Sequence, residues 1–300
     1  MTTSAVTSLL KFCDLDTSFK ILNSQSLRWS APNLFGDTFE LTHKIQVDIA
    51  TDALLKSLVM EALDRLFSPI ELDRQENRLT ATIDRWREER RFNSEDEAEA
   101  VLQNLLSPIV NQQQIQIKKY TSLWRKYASS VRLCCFSDKP TNMSAWQRYG
   151  DNHSGVALEF SCGPNTLLTN PKRMSYTTEP PLITSTKQQA NIAYAKEPRL
   201  TTANFAEKLL IKDRALADER EWRCFMTTKF EPEQDDQLWY DNAKFSETEL
   251  KAIYLGLEIS PEKTDHIITI LKNHYKKTKI FKAVKVPNSY AIAFVQVPKL

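Results

Sequence analysis

Val131-Arg132-Leu133-Cys134-Cys135-Phe136-Ser137 is where the chain changes texture. The segment is short and apolar, with β-formers at both ends, and it reads as a strand. The residues before it, from 49 to 129, read as helix. Ile49, Leu54, Leu55, Leu58, Val59, Leu63 and Leu66 recur with a helical period. Ser68-Pro69 breaks that helix, and Ser94 to Glu97 has the capping-box spacing that opens another. Pro108 is expected to interrupt this second helix before a third segment runs to Trp124. Downstream the strands continue: Ser154 to Phe160, Glu221 to Thr227, Ala252 to Gly256, Ile280 to Val286 and Tyr290 to Val297. Ser260-Pro261 caps a helix running to about Lys276. Upstream, residues 7–30 read as a short helix followed by a strand from Ser26 to Ser30. Residues 161–200, polar and carrying Pro180-Pro181, read as a long loop. The expected class is α+β, with a strand-bearing domain over 1–48 and 128–300 and a helical insertion over 49–127.

Composition narrows what such a domain can do. Hydrophobic residues are 41% and aromatics 10% of 300 residues, enough for a core and against general disorder. A net charge of +2 gives no overall electrostatic footprint for nucleic acid, which leaves only a local basic patch. The five glycines, Gly36, Gly150, Gly155, Gly163 and Gly256, fit neither G-x-G-x-x-G nor G-x-x-x-x-G-K. A nucleotide would have to be held by side chains rather than by a glycine-rich backbone cradle. No run approaches the ~18 apolar residues of a membrane span, so no membrane partner is expected. Residues Met1 to Phe12 carry no basic or apolar leader pattern. With five cysteines and no C-x-x-C, the expected setting is a reducing cytoplasm, with Cys134 and Cys135 as core thiols. His43, His153, His266 and His274 are scattered, so no metal site is expected.

Three clusters carry possible chemistry. In the first, Arg28 and Trp29 lead through Ser30 to Phe35-Gly36-Asp37-Thr38-Phe39-Glu40. Arg28 can fork onto a phosphate or carboxylate, or pair with Asp37 or Glu40 to hold the turn. The second runs from Trp146 to Gly155; Trp146 and Tyr149 can wall a flat ring or pack into the core. The third is Asp218-Glu219-Arg220-Glu221-Trp222-Arg223. On a strand, Glu219, Glu221 and Arg223 share one face, as a carboxylate site or as an exposed ion-pair strip.

Taken together, these clusters resemble a widespread bacterial family catalogued as a domain of unknown function. Its pattern is L-x-[FW]-S-x-P, F-N-D-P-F-E, C-F-S, W-x-x-Y-[AG]-D-x-H-x-G-V-x-[IL]-E-F and K-x-x-x-W-x-x-E-x-E-[WF]-R. The corresponding segments are Leu27 to Pro32, Phe35 to Glu40, Cys135 to Ser137, Trp146 to Phe160 and Lys212 to Arg223. Gly36, Thr38 and Leu216 stand where Asn, Pro and Trp are usual.

The order of these motifs in turn resembles the R-S-E layout of ADP-ribosyltransferases. That resemblance implies split mixed or antiparallel sheets around a cleft that takes NAD as co-substrate. It implies catalytic roles for Glu221 (ribose orientation), Glu219 (acceptor polarisation) and Ser137 (support of Glu221). Arg28, Ser30, Phe136, Trp146 and Tyr149 would hold NAD. The implied partner is a macromolecular acceptor, protein or nucleic acid, in a toxin or phage-defence setting where an antitoxin is a further possible partner. Two alternatives stay open: a non-catalytic binding or regulatory domain, and a nuclease using Asp37, Glu40, Asp151 and Glu159. The basic points of the insertion, Arg85, Arg87, Arg90, Arg91, Lys118, Lys119, Arg125 and Lys126, could touch phosphate, but they are interleaved with acids before residue 100 and the set reads as a solvated face.

Overall fold

A computed structural model describes residues 6–35, 47, 49–68, 77–228 and 239–298. The strands are β1 (Ser8–Cys13), β2 (Ser26–Ser30), β3 (Val131–Ser137), β4 (Val156–Ser161), β5 (Lys172–Arg173), β6 (Ser175–Thr177), β7 (Ile211–Asp213), β8 (Glu221–Thr227), β9 (Tyr240–Lys244), β10 (Leu250–Leu255), β11 (Lys279–Lys285) and β12 (Ile292–Gln296). The helices are α1 (Leu15–Ser24), α2 (Thr51–Phe67), α3 (Arg78–Glu88), α4 (Glu95–Ser130), α5 (Met143–Arg148), α6 (Thr186–Ala193), α7 (Phe205–Lys208) and α8 (Pro261–His274). The class is α+β, with a mixed sheet.

The chain divides into two compact units. The first comprises Met1–Leu41, Ala128–Pro180 and Leu209–Leu300, and it holds a ten-stranded sheet. Its order is β12-β11-β10-β4-β1-β3-β2-β9, with β8 along β3 and β5 beyond β8. Only the β10–β11 pair in this sheet is parallel among the described strands. The second unit, Thr42–Tyr127 with Pro181–Lys208, is helical.

One local feature of the sheet prepares the site. β8 pairs with β3 along its whole length, from Val131↔Thr227 to Ser137↔Glu221. The opposite edge of β3 is therefore shared: β2 meets it at Ser30↔Leu133 and β1 at Leu10↔Ser137. Between those two points β1 and β2 part from β3. In the gap the Cys135 carbonyl accepts from the Lys11 ammonium, at 3.1 Å, in place of a ladder N–H.

Both faces of the central strands are covered, which is why they read as apolar runs rather than alternating ones. Leu9 and Cys13 of β1 join Val156, Leu158 and Phe160 against α1 and α8. Leu10 and Phe12 turn to the other face, onto Ala145, Trp146 and Ile292. The Tyr275 hydroxyl, donating to the Leu22 carbonyl at 2.7 Å, ties the end of α8 to α1.

Several expectations are corrected here. β1 precedes α1 in a stretch expected to begin with helix; its Leu9-Leu10 pair faces both cores, which hides the strand alternation. β9 was not expected, because Tyr240–Lys244 is polar and sits beside β2 at the sheet edge. Residues 161–200 contain β5, β6 and α6 rather than one loop, and Ala190 of α6 and Tyr194 just after it pack into the helical core. α4 runs unbroken through Pro108, since Ala98, Leu102, Leu106 and Val110 fix it to that core on both sides of the proline. At its start Ser94 Oγ accepts from the Glu97 N–H at 3.3 Å, while the Glu97 carboxylate accepts from the N–H of Asn93.

Two glycines serve close backbone approach. A Cβ on Gly256 would stand 2.0 Å from the His153 carbonyl oxygen, and one on Gly155 2.2 Å from that of Cys13. Both obstacles are backbone and cannot rotate away. Gly256→Ala should therefore cost at least the ~1–3 kcal/mol of an overpacked core. Urea unfolding of the purified variant measures it; an unchanged midpoint would contradict the close approach.

Candidate functional site

The parted strands open a cavity of about 480 Å³ in the first unit, within the size range of small-molecule sites. β1 contributes Lys11, β2 Arg28 and Ser30, and β3 Cys135 to Ser137; the chain around β7 and β8 adds Lys212, Glu219, Glu221 and Arg223.

A short local device assembles the charged wall. Asp213 caps the 3-10 turn Arg214–Glu219 by accepting from the Ala215 N–H at 2.7 Å. Arg220 ends the turn in the left-handed region, at φ 49. The turn folds Lys212 back onto the start of β8. Its ammonium donates to Glu219 Oε2 at 2.6 Å and to Glu221 Oε2 at 2.9 Å. Arg223 Nε donates to Glu221 Oε1 at 2.7 Å. Glu219 Oε1 accepts from Arg148 and, at 3.0 Å, from the Tyr149 hydroxyl. Lys212, Glu219, Glu221 and Arg223 are 7%, 4%, 6% and 0% exposed, so the network is desolvated and its members depend on one another.

Its electrostatics follow. Burial alone would lower the Lys212 pKa, but Glu221 and Glu219 outweigh it and hold the ammonium above its usual range. Lys212 thus stays charged from neutral pH through its ordinary value of 10.5. Burial, with the Glu221 charge, pushes the Cys135 thiol well up, so it is not a thiolate nucleophile at neutral pH. The cavity is lined by Lys11, Arg28, Arg148, Lys212 and Arg223 against two carboxylates. That excess of positive charge favours an anionic ligand.

Arg220 braces the turn from outside, with Nε and Nη2 each 2.8 Å from the Asp138 carboxylate. Burial pushes the Asp138 pKa up, yet the Arg220 hydrogen bonds win and hold it below its usual 3.8. A depressed carboxylate pKa stabilises the fold above the unfolded value, and that contribution is lost as pH falls through the folded one. The stability gap between the native protein and Arg220→Gln should accordingly shrink as pH drops from 5 towards 3. Urea midpoints across that range test this; a gap constant with pH would refute it.

Of the residues singled out in the sequence, Glu219, Glu221, Ser137, Arg28, Ser30, Phe136 and Tyr149 all line this cavity. The Arg28 guanidinium lies over the Tyr240 ring, 4.1 Å from its centroid. Asp37 and Glu40, its alternative partners, lie outside the described residues. Two roles are corrected. Trp146 is no ring wall: it is 0% exposed, edge-on to Phe12, and donates Nε1–H to the Pro140 carbonyl at 2.7 Å. Ser137 stands opposite Glu221 in the β-ladder, but its hydroxyl donates to the Glu219 backbone carbonyl at 3.2 Å and accepts from Asn142. It supports the turn rather than the Glu221 carboxylate. The acidic strip is ion-paired but buried, not exposed. Asp151 is exposed and Glu159 accepts from Ser8 and Tyr254, so the carboxylates named for a nuclease do not line the cavity where they are described. Among the described residues no group of three His, Cys, Asp or Glu is placed to hold a metal ion.

Lys11, Arg148 and Lys212 were not singled out as site residues. Lys212 opens the last motif, but nothing local marks a lysine that will be buried between two glutamates.

The fold and site together define an α+β protein with a cationic cavity in a parted sheet, walled by two buried glutamates. Within it, residues 145–224 match the family described as "Protein of unknown function (DUF2971)". The match spans just over a quarter of the chain and holds every member of the Lys212 network; Arg28 and Ser137 reach the cavity from outside it. No curated protein and no solved structure matches the chain. No helix among the described residues is long and apolar enough to cross a membrane.

Proposed function

We propose that the cavity binds NAD and that the protein transfers ADP-ribose from it to a macromolecular acceptor. One observation carries this reading: Arg28, Ser137 and Glu221, from three strands far apart in sequence, line a single cavity where the sheet parts. The residues suit the co-substrate. Arg28 and Arg148 are exposed enough to take the pyrophosphate, and Phe35 and Tyr149 offer aromatic surface to a flat ring.

In such a transfer the ribose C1′–nitrogen bond breaks and its electron pair leaves with nicotinamide. A new bond forms from C1′ to the acceptor, whose proton passes to a base or to water. Positive charge develops on the ribose, as in glycoside hydrolysis, and a carboxylate there lowers the barrier. Glu221 is the candidate for that role and Glu219 for receiving the acceptor proton. A pyrophosphate that drew Arg148 to itself would leave Glu219 Oε1 with the Tyr149 hydroxyl as its remaining donor. The toxin or defence setting, with an antitoxin as partner, belongs to the same reading.

A second reading also has a specific observation behind it. All four oxygens of Glu219 and Glu221 already accept from a cationic side chain. That arrangement suits a non-catalytic anion-binding domain. Labelled NAD incubated with the protein and cell lysate separates the two. Nicotinamide release with label transfer supports transfer; saturable NAD or pyrophosphate binding without release supports the binding domain.

A further inference from the structure

The helical unit carries a second concave site, a groove of about 680 Å³ on α4. Gln112, Gln113, Gln116 and Lys119 of α4 form one wall, and Arg199 and Leu200 face them. No acidic residue lines it. The charge on α4 is also segregated: Glu95, Asp96, Glu97 and Glu99 occupy its start, and no Asp or Glu follows until Asp138. Lys126 extends the groove's charge, two turns beyond Lys119 on the same helix face. Lys119, Lys126 and Arg199 are exposed, and no ion pair among the described residues engages them. Gln113 is tied into the wall, its Nε2 donating to the Gln189 carbonyl at 2.8 Å, which leaves Gln112 and Gln116 as the exposed amides of the groove.

We propose that this groove binds single-stranded nucleic acid, with phosphates on Lys119, Lys126 and Arg199 and base edges on Gln112 and Gln116. Cations neutralise the backbone, and amides pair with the donors and acceptors of an unstacked base. An acidic peptide would use the cations but leave the amide row unexplained. A concave groove with amides at its wall suits splayed bases rather than a closed duplex. The inference stands whether or not the carboxylate cavity turns over NAD.

The test uses the full chain and a fluorescein-labelled 20-nucleotide oligo-uridine, followed by fluorescence anisotropy. Three phosphate contacts on a single strand give a salt slope of about −2, so affinity should fall about twentyfold from 50 to 200 mM salt. Replacing Lys119, Lys126 and Arg199 together by Gln should abolish most of the binding and flatten the slope, with circular dichroism unchanged. Gln116→Leu should weaken binding and leave the slope intact. Should the triple variant misfold, Arg199→Gln alone, at an exposed position, should reduce the slope by about 0.7. The proposal fails if the oligonucleotide shows no saturable binding at 50 mM salt, or if these variants bind as the native protein does. It also fails if a duplex binds as tightly, or if polyglutamate competes as well as unlabelled oligo-uridine.

Discussion

Replacing Lys212 by Met should destabilise the first unit by about 3–5 kcal/mol, the cost of removing one partner from a buried charge pair. The ammonium is the only group that touches both Glu219 and Glu221 among the described contacts, and all three side chains are nearly inaccessible. Without it Arg148 still reaches Glu219 and Arg223 still reaches Glu221, but two desolvated carboxylates face each other across the vacated space. Two like charges left desolvated without the ammonium between them repel, which adds to the loss. Lys212→Arg, which keeps the charge, should recover part of it. Urea unfolding decides the matter; a loss below about 1 kcal/mol would show that the network is not held by Lys212.

Glu221→Gln should lower the rate of nicotinamide release by about 10²–10³-fold, the usual cost of removing one preorganised electrostatic stabiliser. The NAD dissociation constant should change far less, because the charge on Glu221 matters most when the ribose becomes positive. Gln preserves the shape and one acceptor oxygen, so Arg223 keeps a hydrogen bond and the variant should fold. Its stability will still fall, since Lys212 and Arg223 lose a counter-charge; a thermal melt fixes the temperature at which kinetics are compared. Equal turnover by the folded variant would falsify the transferase reading. Binding of NAD by both proteins without release would instead leave the anion-binding domain standing.

Much of the fold was legible because its signals are local. The 3.6-residue periodicity of α2 and the Ser260-Pro261 cap of α8 are properties of a few neighbouring residues. So is the apolar run of β3. Local signals mislead where tertiary contacts override them. Pro108 does not break α4, because buried residues before and after it hold the helix in one core. β1 was hidden because both of its faces are covered, and β9 because its polar residues pair only at the sheet edge. The site divides in the same way. Glu219 and Glu221 stood out as a spaced acidic pair and Tyr149 as an aromatic near a turn. Trp146 was misassigned because a buried and a ring-walling tryptophan look alike in sequence.

By itself the sequence determined the α+β class, the helical segment, the strands around the two glutamates, and the lack of any glycine-rich phosphate loop. Each of these is set by composition or by neighbours within a few residues. Only the tertiary structure decided that β1 and β2 part from β3, and that the cavity forms there. It alone turned Lys212 inward between Glu219 and Glu221 and sent Arg148 onto the same carboxylate. A lysine is strongly hydrated, and no local rule buries it. What does so is the return of the chain through Arg214–Glu219, which places two carboxylates within hydrogen-bond reach of one ammonium. The charge balance of the cavity, five cations against two carboxylates in a chain with a net charge of +2, follows from that packing and not from composition.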